Sequence, residues 1–156
     1  MSDDEAELQQ LVDTLAQVEQ QMRAWEAQLE TLAAVRAELW QARTTLDGLK
    51  DEPEGREMLV PVGYNTSLFA TIGSKERVLT GLGSQVYMEA PLEQALERLQ
   101  ARLEEVEKAT RDYRESLAQL QQQHAQLRER AEALYAKAEA AKEVGSDFLL
   151  PGTVDV

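Results

Sequence analysis

The sequence predicts a mainly α protein with a small β insert: a long antiparallel two-helix coiled coil joined by two β-hairpins. Three observations carry this. Apolar residues recur on seven-residue ladders over residues 1–50 and again over 91–143. Residues 51–90 between them lose that ladder and gather glycine, valine and threonine. Aromatics make up only 5% of the chain against 29% charged residues, a mix suited to narrow helical seams rather than a thick layered core. The expected organisation is a single domain with an N-terminal coiled-coil helix at 1–50, a β insert at 51–90, a C-terminal coiled-coil helix at 91–143 and a flexible tail at 144–156.

The first helix is free of proline and, until Gly48, of glycine, and it is rich in Ala, Leu, Glu and Gln. One ladder is Leu8, Leu15, Met22, Leu29; the other is Leu11, Val18, Trp25, Leu32, Leu39, Leu46. At Arg36 and Arg43 the first ladder turns polar and Val35, Ala42 and Leu49 take over, so the seam drifts around the helix.

In the insert, residues 57–62, 67–72, 77–82 and 85–89 read as four short strands, with turns at Gly63-Tyr64-Asn65, Gly73-Ser74-Lys75 and Gly83-Ser84. Pro61 marks the first as an edge or bulged strand. The second helix opens at Ala90-Pro91, since proline fits a first helical turn, and is expected to stop near Glu143 ahead of Gly145. Its ladders are Leu92, Leu99, Val106, Tyr113, Leu120, Leu127, Leu134, Ala141 and Leu96, Leu103, Thr110, Leu117, His124, Ala131, Ala138.

Pairing the helices so that residue numbers add to 142 sets Leu8 against Leu134, Val18 against His124 and Lys50 against Leu92, where the insert begins and ends. Trp25 then faces Leu117, and Tyr113 faces Leu29. Each helix of about 45 residues would extend roughly 70 Å at 1.5 Å per residue. The insert is expected at one end, and both termini at the other.

Net charge is −13, which argues against nucleic acid and against an anionic membrane. There is no cysteine and a single histidine, His124, so thiolate chemistry and cysteine-held metals are excluded and neither a catalytic nor a metal site is expected. His124 and Trp25 read as seam residues, whereas Trp40 lies off the seam. Gly81-Leu82-Gly83-Ser84 lacks the lysine and helix start of a phosphate loop and reads as a turn. The first residues lack the basic and apolar regions of a signal peptide, and no run reaches the roughly 18 apolar residues of a membrane span. A cytoplasmic protein without cofactor is expected.

About 35 insert residues are too few to bury an adequate core alone, yet they display Leu59, Val60, Val62, Leu68, Phe69, Ile72, Val78, Leu79, Leu82, Val86, Tyr87 and Met88. Short hairpins with free edges complete themselves against another chain, so these twelve are the expected assembly residues. At the opposite end Leu8, Leu11, Val12 and Leu15 serve either as seam or as exposed tip, and Phe148, Leu149 and Leu150 lie past the reach of the first helix.

The strings Met58-Leu59-Val60-Pro61-Val62-Gly63, Ser67-Leu68-Phe69-Ala70-Thr71-Ile72 and Val78-Leu79-Thr80-Gly81-Leu82-Gly83-Ser84-Gln85-Val86-Tyr87-Met88-Glu89 resemble the α-type subunit of prefoldin. Two hairpins mark the α type, since the β type has one. The resemblance implies an ATP-independent holding chaperone in which two α-type and four β-type subunits join their hairpins. Coiled-coil tips grip unfolded polypeptide and deliver it to a group II chaperonin. On this chain the tip would comprise Leu8, Leu11, Val12, Leu15, Phe148, Leu149 and Leu150. The competing reading is a non-chaperone coiled-coil scaffold or tether that oligomerises through its β insert.

Overall fold

The computed structural model describes the backbone of residues 2–148 and the side chains of residues 2–145. The elements run α1 (Asp3–Leu49), β1 (Glu57–Gly63), β2 (Thr66–Thr71), β3 (Val78–Gly83), β4 (Val86–Ala90) and α2 (Leu92–Phe148). They divide into a terminal unit, residues up to Glu30 with those from Arg111, and a hairpin unit, Thr31–Thr110.

In the terminal unit, α1 starts on a capping box. The Glu5 N–H donates to Ser2 Oγ and the Ser2 N–H donates to Glu5 Oε2, both at 3.3 Å. Asp3, Asp4 and Glu5 in the first turn also oppose the positive end of the helix dipole. Leu11 and Val18 are buried; Leu8, Leu15, Met22, Trp25 and Leu29 are half-buried, as are Tyr113, Leu117, Leu120, His124, Leu127, Ala131 and Leu134 on α2. The helices here are antiparallel and follow the expected register. His124 Nε2 meets Glu19 Oε1 at 3.0 Å and Lys137 Nζ meets Asp4 Oδ2 at 2.8 Å, each one residue from the partner that the register names.

Two pairings depart from the register, Arg130 with Glu7 and Trp25 with Tyr113. Trp25 and Tyr113 meet edge to face, with ring centroids 6.4 Å apart and planes inclined by 76°. The register orders backbone levels, but an indole and a phenol reach across one helical turn, and this geometry aligns a positive ring edge with a negative ring face.

In the hairpin unit the seam moves as the sequence indicates: Val35, Ala42 and Leu49 are half-buried whereas Arg36 and Arg43 are exposed. On α2, Leu92, Ala95, Leu103 and Val106 are buried. Arg36 Nε pairs with Glu107 Oε1 at 3.5 Å and Lys50 Nζ with Glu93 Oε1 at 3.3 Å, again one residue from register. The buried Ala90, Leu92 and Ala95 form the knuckle at which the second hairpin enters α2.

One helix boundary and one ladder position differ from expectation. The helix α2 passes through Gly145 to Phe148 rather than ending near Glu143. Gly145 does not adopt the left-handed conformation of a helix-ending glycine, and the alanine-rich turns before it carry the helix across a residue that costs about 1 kcal/mol. Residues 144–148 are therefore helix rather than tail, and Leu149 and Leu150 lie outside the described residues. Ala141, placed on the apolar ladder, is exposed because α1 begins at Asp3 and offers no turn level with it.

Leu103→Ala should destabilise the chain by about 2–5 kcal/mol, the range for truncating a buried leucine. Ala141→Ser, on an exposed turn, should shift the denaturation midpoint by less than about 0.5 kcal/mol equivalent. Chemical denaturation followed by far-ultraviolet circular dichroism measures both.

Candidate functional site

The two hairpins are built alike. In the first, Glu57–Pro61 pair antiparallel with Ser67–Thr71, and Gly63 pairs with Thr66 after a bulge at Val62. In the second, Val78–Gly81 pair with Tyr87–Ala90, and Gly83 pairs with Val86 after a bulge at Leu82. Each loop is two residues with positive φ at both, Tyr64 (44°) and Asn65 (55°), Ser84 (49°) and Gln85 (62°), following Gly63 (112°) and Gly83 (97°). Such loops match the right-handed twist of the flanking strands, which is why side-chain-bearing residues occupy a region usually left to glycine. The bulges and two-residue loops also shift β2, β3 and β4 by one residue from their expected spans.

The hairpins form two separate two-stranded sheets. Pairs directly opposite share a face. On one face of the second hairpin lie Val78 with Ala90 and Thr80 with Met88, half-buried or buried against the chain's own helices. Arg98 Nη1 reaches Met88 Sδ at 3.6 Å. The opposite face carries Leu79 and Tyr87, 65% and 63% exposed. Tyr87 lies across Gly81, where an added Cβ would meet its ring at 3.5 Å. In the first hairpin Met58 and Ala70 are half-buried, while their neighbours Leu59 and Phe69 face out, Phe69 at 74%.

Of the expected assembly residues, Leu59, Val60, Val62, Leu68, Phe69, Leu79, Leu82, Val86 and Tyr87 are exposed. Ile72, Val78 and Met88 are half-buried within their own chain. Ile72 is held from both sides: its C=O accepts the Gly55 N–H at 2.7 Å and its N–H donates to the Arg56 C=O at 2.9 Å. Sequence reasoning overlooked Tyr64, whose side chain stands fully exposed on the first loop. Its only signal was an aromatic in a turn.

The second hairpin is fixed at its base. Lys75 Nζ donates to the Lys50 C=O at 2.8 Å, its N–H reaches Glu54 Oε1 at 3.3 Å, and the Leu92 N–H donates to the Lys75 C=O at 2.9 Å. Arg77 Nη2 bonds Glu89 Oε1 at 2.9 Å across the strands. That hydrogen bond, and then the charge of its donor, holds the Glu89 carboxyl below its usual pKa and raises that of Arg77. Beside β3, an apolar groove of about 560 Å³ is lined by Ala42 and Leu46 of α1, Leu99 of α2 and Val78 and Leu79.

In the terminal unit Leu8, Val12 and Leu15 line a second apolar groove, of about 350 Å³, with Ala131 and Tyr135. Arg128 and Glu132 bound it and pair at 2.8 Å. Val12 and Tyr135 are exposed, whereas Leu11 is spent in the seam and is not available at the surface. Tyr135 was overlooked because it sits one residue beyond Leu134 on the ladder, as Val12 sits beyond Leu11. The Phe148 side chain and Leu149 and Leu150 fall outside the described residues. Among the described residues no three His, Cys, Asp or Glu side chains cluster to hold a metal, and no helix is long and apolar enough to cross a membrane.

A lowered carboxyl pKa adds stability that is present above the unfolded value and is lost as pH falls through the folded one. The Glu89 contribution should therefore disappear on acidification below about pH 4. In a carboxyl-resolved NMR titration Glu89 should titrate below the ordinary glutamate value, and Arg77→Gln should bring it back toward that value.

The family model described as Prefoldin subunit matches residues 18–137. Prefoldin subunit alpha of Pyrococcus horikoshii is 30% identical over 122 residues, covering 78% of this chain and 82% of that protein. Prefoldin subunit alpha of Methanothrix thermoacetophila is 31% identical over 98 residues, covering 63% and 64%. Among solved structures, a chain of the filamentous PFD of Methanocaldococcus jannaschii matches with a TM-score of 0.62 and 23% identity, over 74% of this chain and 95% of that one. At that identity the structural likeness speaks for the fold, two long helices and two antiparallel hairpins. Family model and relatives together show that this chain belongs to the prefoldin subunit family.

Proposed function

We propose that the chain is the α-type subunit of an ATP-independent holding chaperone. In this reading two copies join four β-type subunits through their hairpins. The groove of the terminal unit holds apolar segments of unfolded polypeptide, and the complex hands its client to a group II chaperonin. The observation that carries it is the outward apolar face of each hairpin, Leu59 with Phe69 and Leu79 beside Tyr87, which stays exposed among the described residues. Two-stranded ribbons are marginal in water and gain a core when another chain covers them.

The client-binding part is supported by the groove of Leu8, Val12, Leu15, Ala131 and Tyr135. Burying one client side chain there is worth roughly 1.5–3 kcal/mol. A single groove would thus hold weakly, and several grooves in one complex would hold well through effective concentration. The filamentous state of the solved relative favours a second reading of the hairpins, in which copies of this chain join head to tail into an open polymer. Native mass measurement of the chain alone and mixed with a β-type subunit separates the two. A closed hexamer only with the partner supports the first reading, and open polymers of the chain alone support the second.

Two variants test the division of labour. Leu79→Asp or Val86→Asp places a charge where a neighbouring chain would have to bury it, at a cost of several kcal/mol. Complex mass should fall while helical ellipticity persists, and an unchanged mass in both variants refutes assembly through the hairpins. Val12→Asp with Tyr135→Asp should leave complex mass intact and weaken suppression of aggregation of a denatured protein, most clearly when partner tips are truncated as well. Full suppression in that setting would remove the groove from the mechanism.

A further inference from the structure

The groove of the terminal unit lies among a surplus of negative charge, although Arg128, paired with Glu132, lines it. No lysine or arginine precedes Arg23, while Asp3, Asp4, Glu5, Glu7, Asp13 and Glu19 do. Over residues 2–22 and 121–145 ten carboxylates stand against four cations, a surplus of six. All four cations are engaged already: Arg130 with Glu7, Lys137 with Asp4, Arg128 with Glu132 and Lys142 with Glu139. Along α1 the order Glu5, Leu8, Val12, Leu15, Glu19 alternates spacings of three and four, so one stripe carries the groove's apolar residues with a carboxylate at either end.

We infer that this groove takes apolar polypeptide segments interspersed with lysine or arginine in preference to apolar segments interspersed with aspartate or glutamate. The inference rests on the client-binding reading above and adds the charge class of the client. Apolar side chains of such a segment would seat against Leu8, Val12, Leu15 and Tyr135 while its cations meet the bracketing carboxylates, Glu5 and Glu19, whose Oε2 and Oε1 already meet the Ser2 N–H and His124. Single exposed pairs contribute little, but an uncompensated surplus acts on every cation of the segment and is screened by salt. The chain's own terminal segment is a poor occupant by the same criterion. Its Phe148, Leu149 and Leu150 are flanked by Asp147 and Asp155, and no cation follows Lys142.

The test uses the full-length chain, titrated into the roughly millimolar range in which a single weak groove would bind, and three labelled unstructured peptides of equal length and apolar content, whose polar positions are lysine, glutamate or uncharged serine. At about 0.02 M salt the lysine peptide should bind roughly tenfold tighter than the glutamate peptide, with the serine peptide between them. At about 0.5 M salt the ratio should fall to within about twofold. Glu5→Gln combined with Glu19→Gln should lower the low-salt ratio; glutamine at position 5 preserves the capping pattern. Equal binding of the three peptides at low salt overturns the charge preference and leaves the groove reading standing. A preference that survives both substitutions unchanged overturns its placement at this stripe. Failure of all three to bind, the serine peptide included, overturns the groove reading and this inference with it.

Discussion

The interaction on which the other features depend is the narrow apolar seam between the two long helices, because the strands bury almost nothing by themselves. Leu11, Val18, Leu103 and Val106 are buried, and most other ladder residues are only half-buried, as expected where each helix has a single neighbour. A seam this thin leaves each helix only one apolar stripe and exposes the rest to water. It follows that 29 acidic residues are tolerated, that most ion pairs are exposed and individually weak, and that specificity of register comes from the seam. The cross-helix pairs Lys137–Asp4, His124–Glu19, Arg36–Glu107 and Lys50–Glu93 report that register within each unit; they do not set it.

The hairpins pose the opposite problem. A two-stranded ribbon has two faces and two edges but no interior. One face of each is partly covered by the chain, through Met58 and Ala70 in the first hairpin and Val78, Thr80, Met88 and Ala90 in the second. The other presents Leu59, Phe69, Leu79 and Tyr87 to water. The loops suit this geometry, since positive φ at Tyr64, Asn65, Ser84 and Gln85 matches the right-handed twist of the paired strands. Assembly in the proposed complex would resolve the exposure.

Much of this was legible in the sequence because the heptad ladder and the glycine-rich insert are strong local signals. The drift of the seam from Arg36 and Arg43 to Val35, Ala42 and Leu49 was readable to the residue. What escaped depends on side-chain reach or on competition between weak preferences. The Trp25–Tyr113 contact bridges a helical turn that residue counting cannot see. Gly145 is a helix stop by preference, but the alanines before it outweigh that preference. At the candidate sites, Ile72 was expected at the assembly surface and Leu11 was left open between seam and tip, because apolar character alone does not say which side of a strand or seam is covered. Tyr135 and Tyr64 were overlooked because each lies beside a regular pattern rather than on it.

The central claim is that the hairpins are incomplete in the single chain and are completed by a neighbouring one. Amide hydrogen exchange over residues 57–90, compared between the chain diluted to a monomer and the chain assembled with a β-type subunit, tests it most directly. The account predicts weak protection of β1–β4 in the monomer and a rise of at least about tenfold on assembly, with protection of Leu103 and Val106 in α2 changing far less. Equal and high protection of the strands in both states would show that the hairpins are stable alone, and would contradict the account.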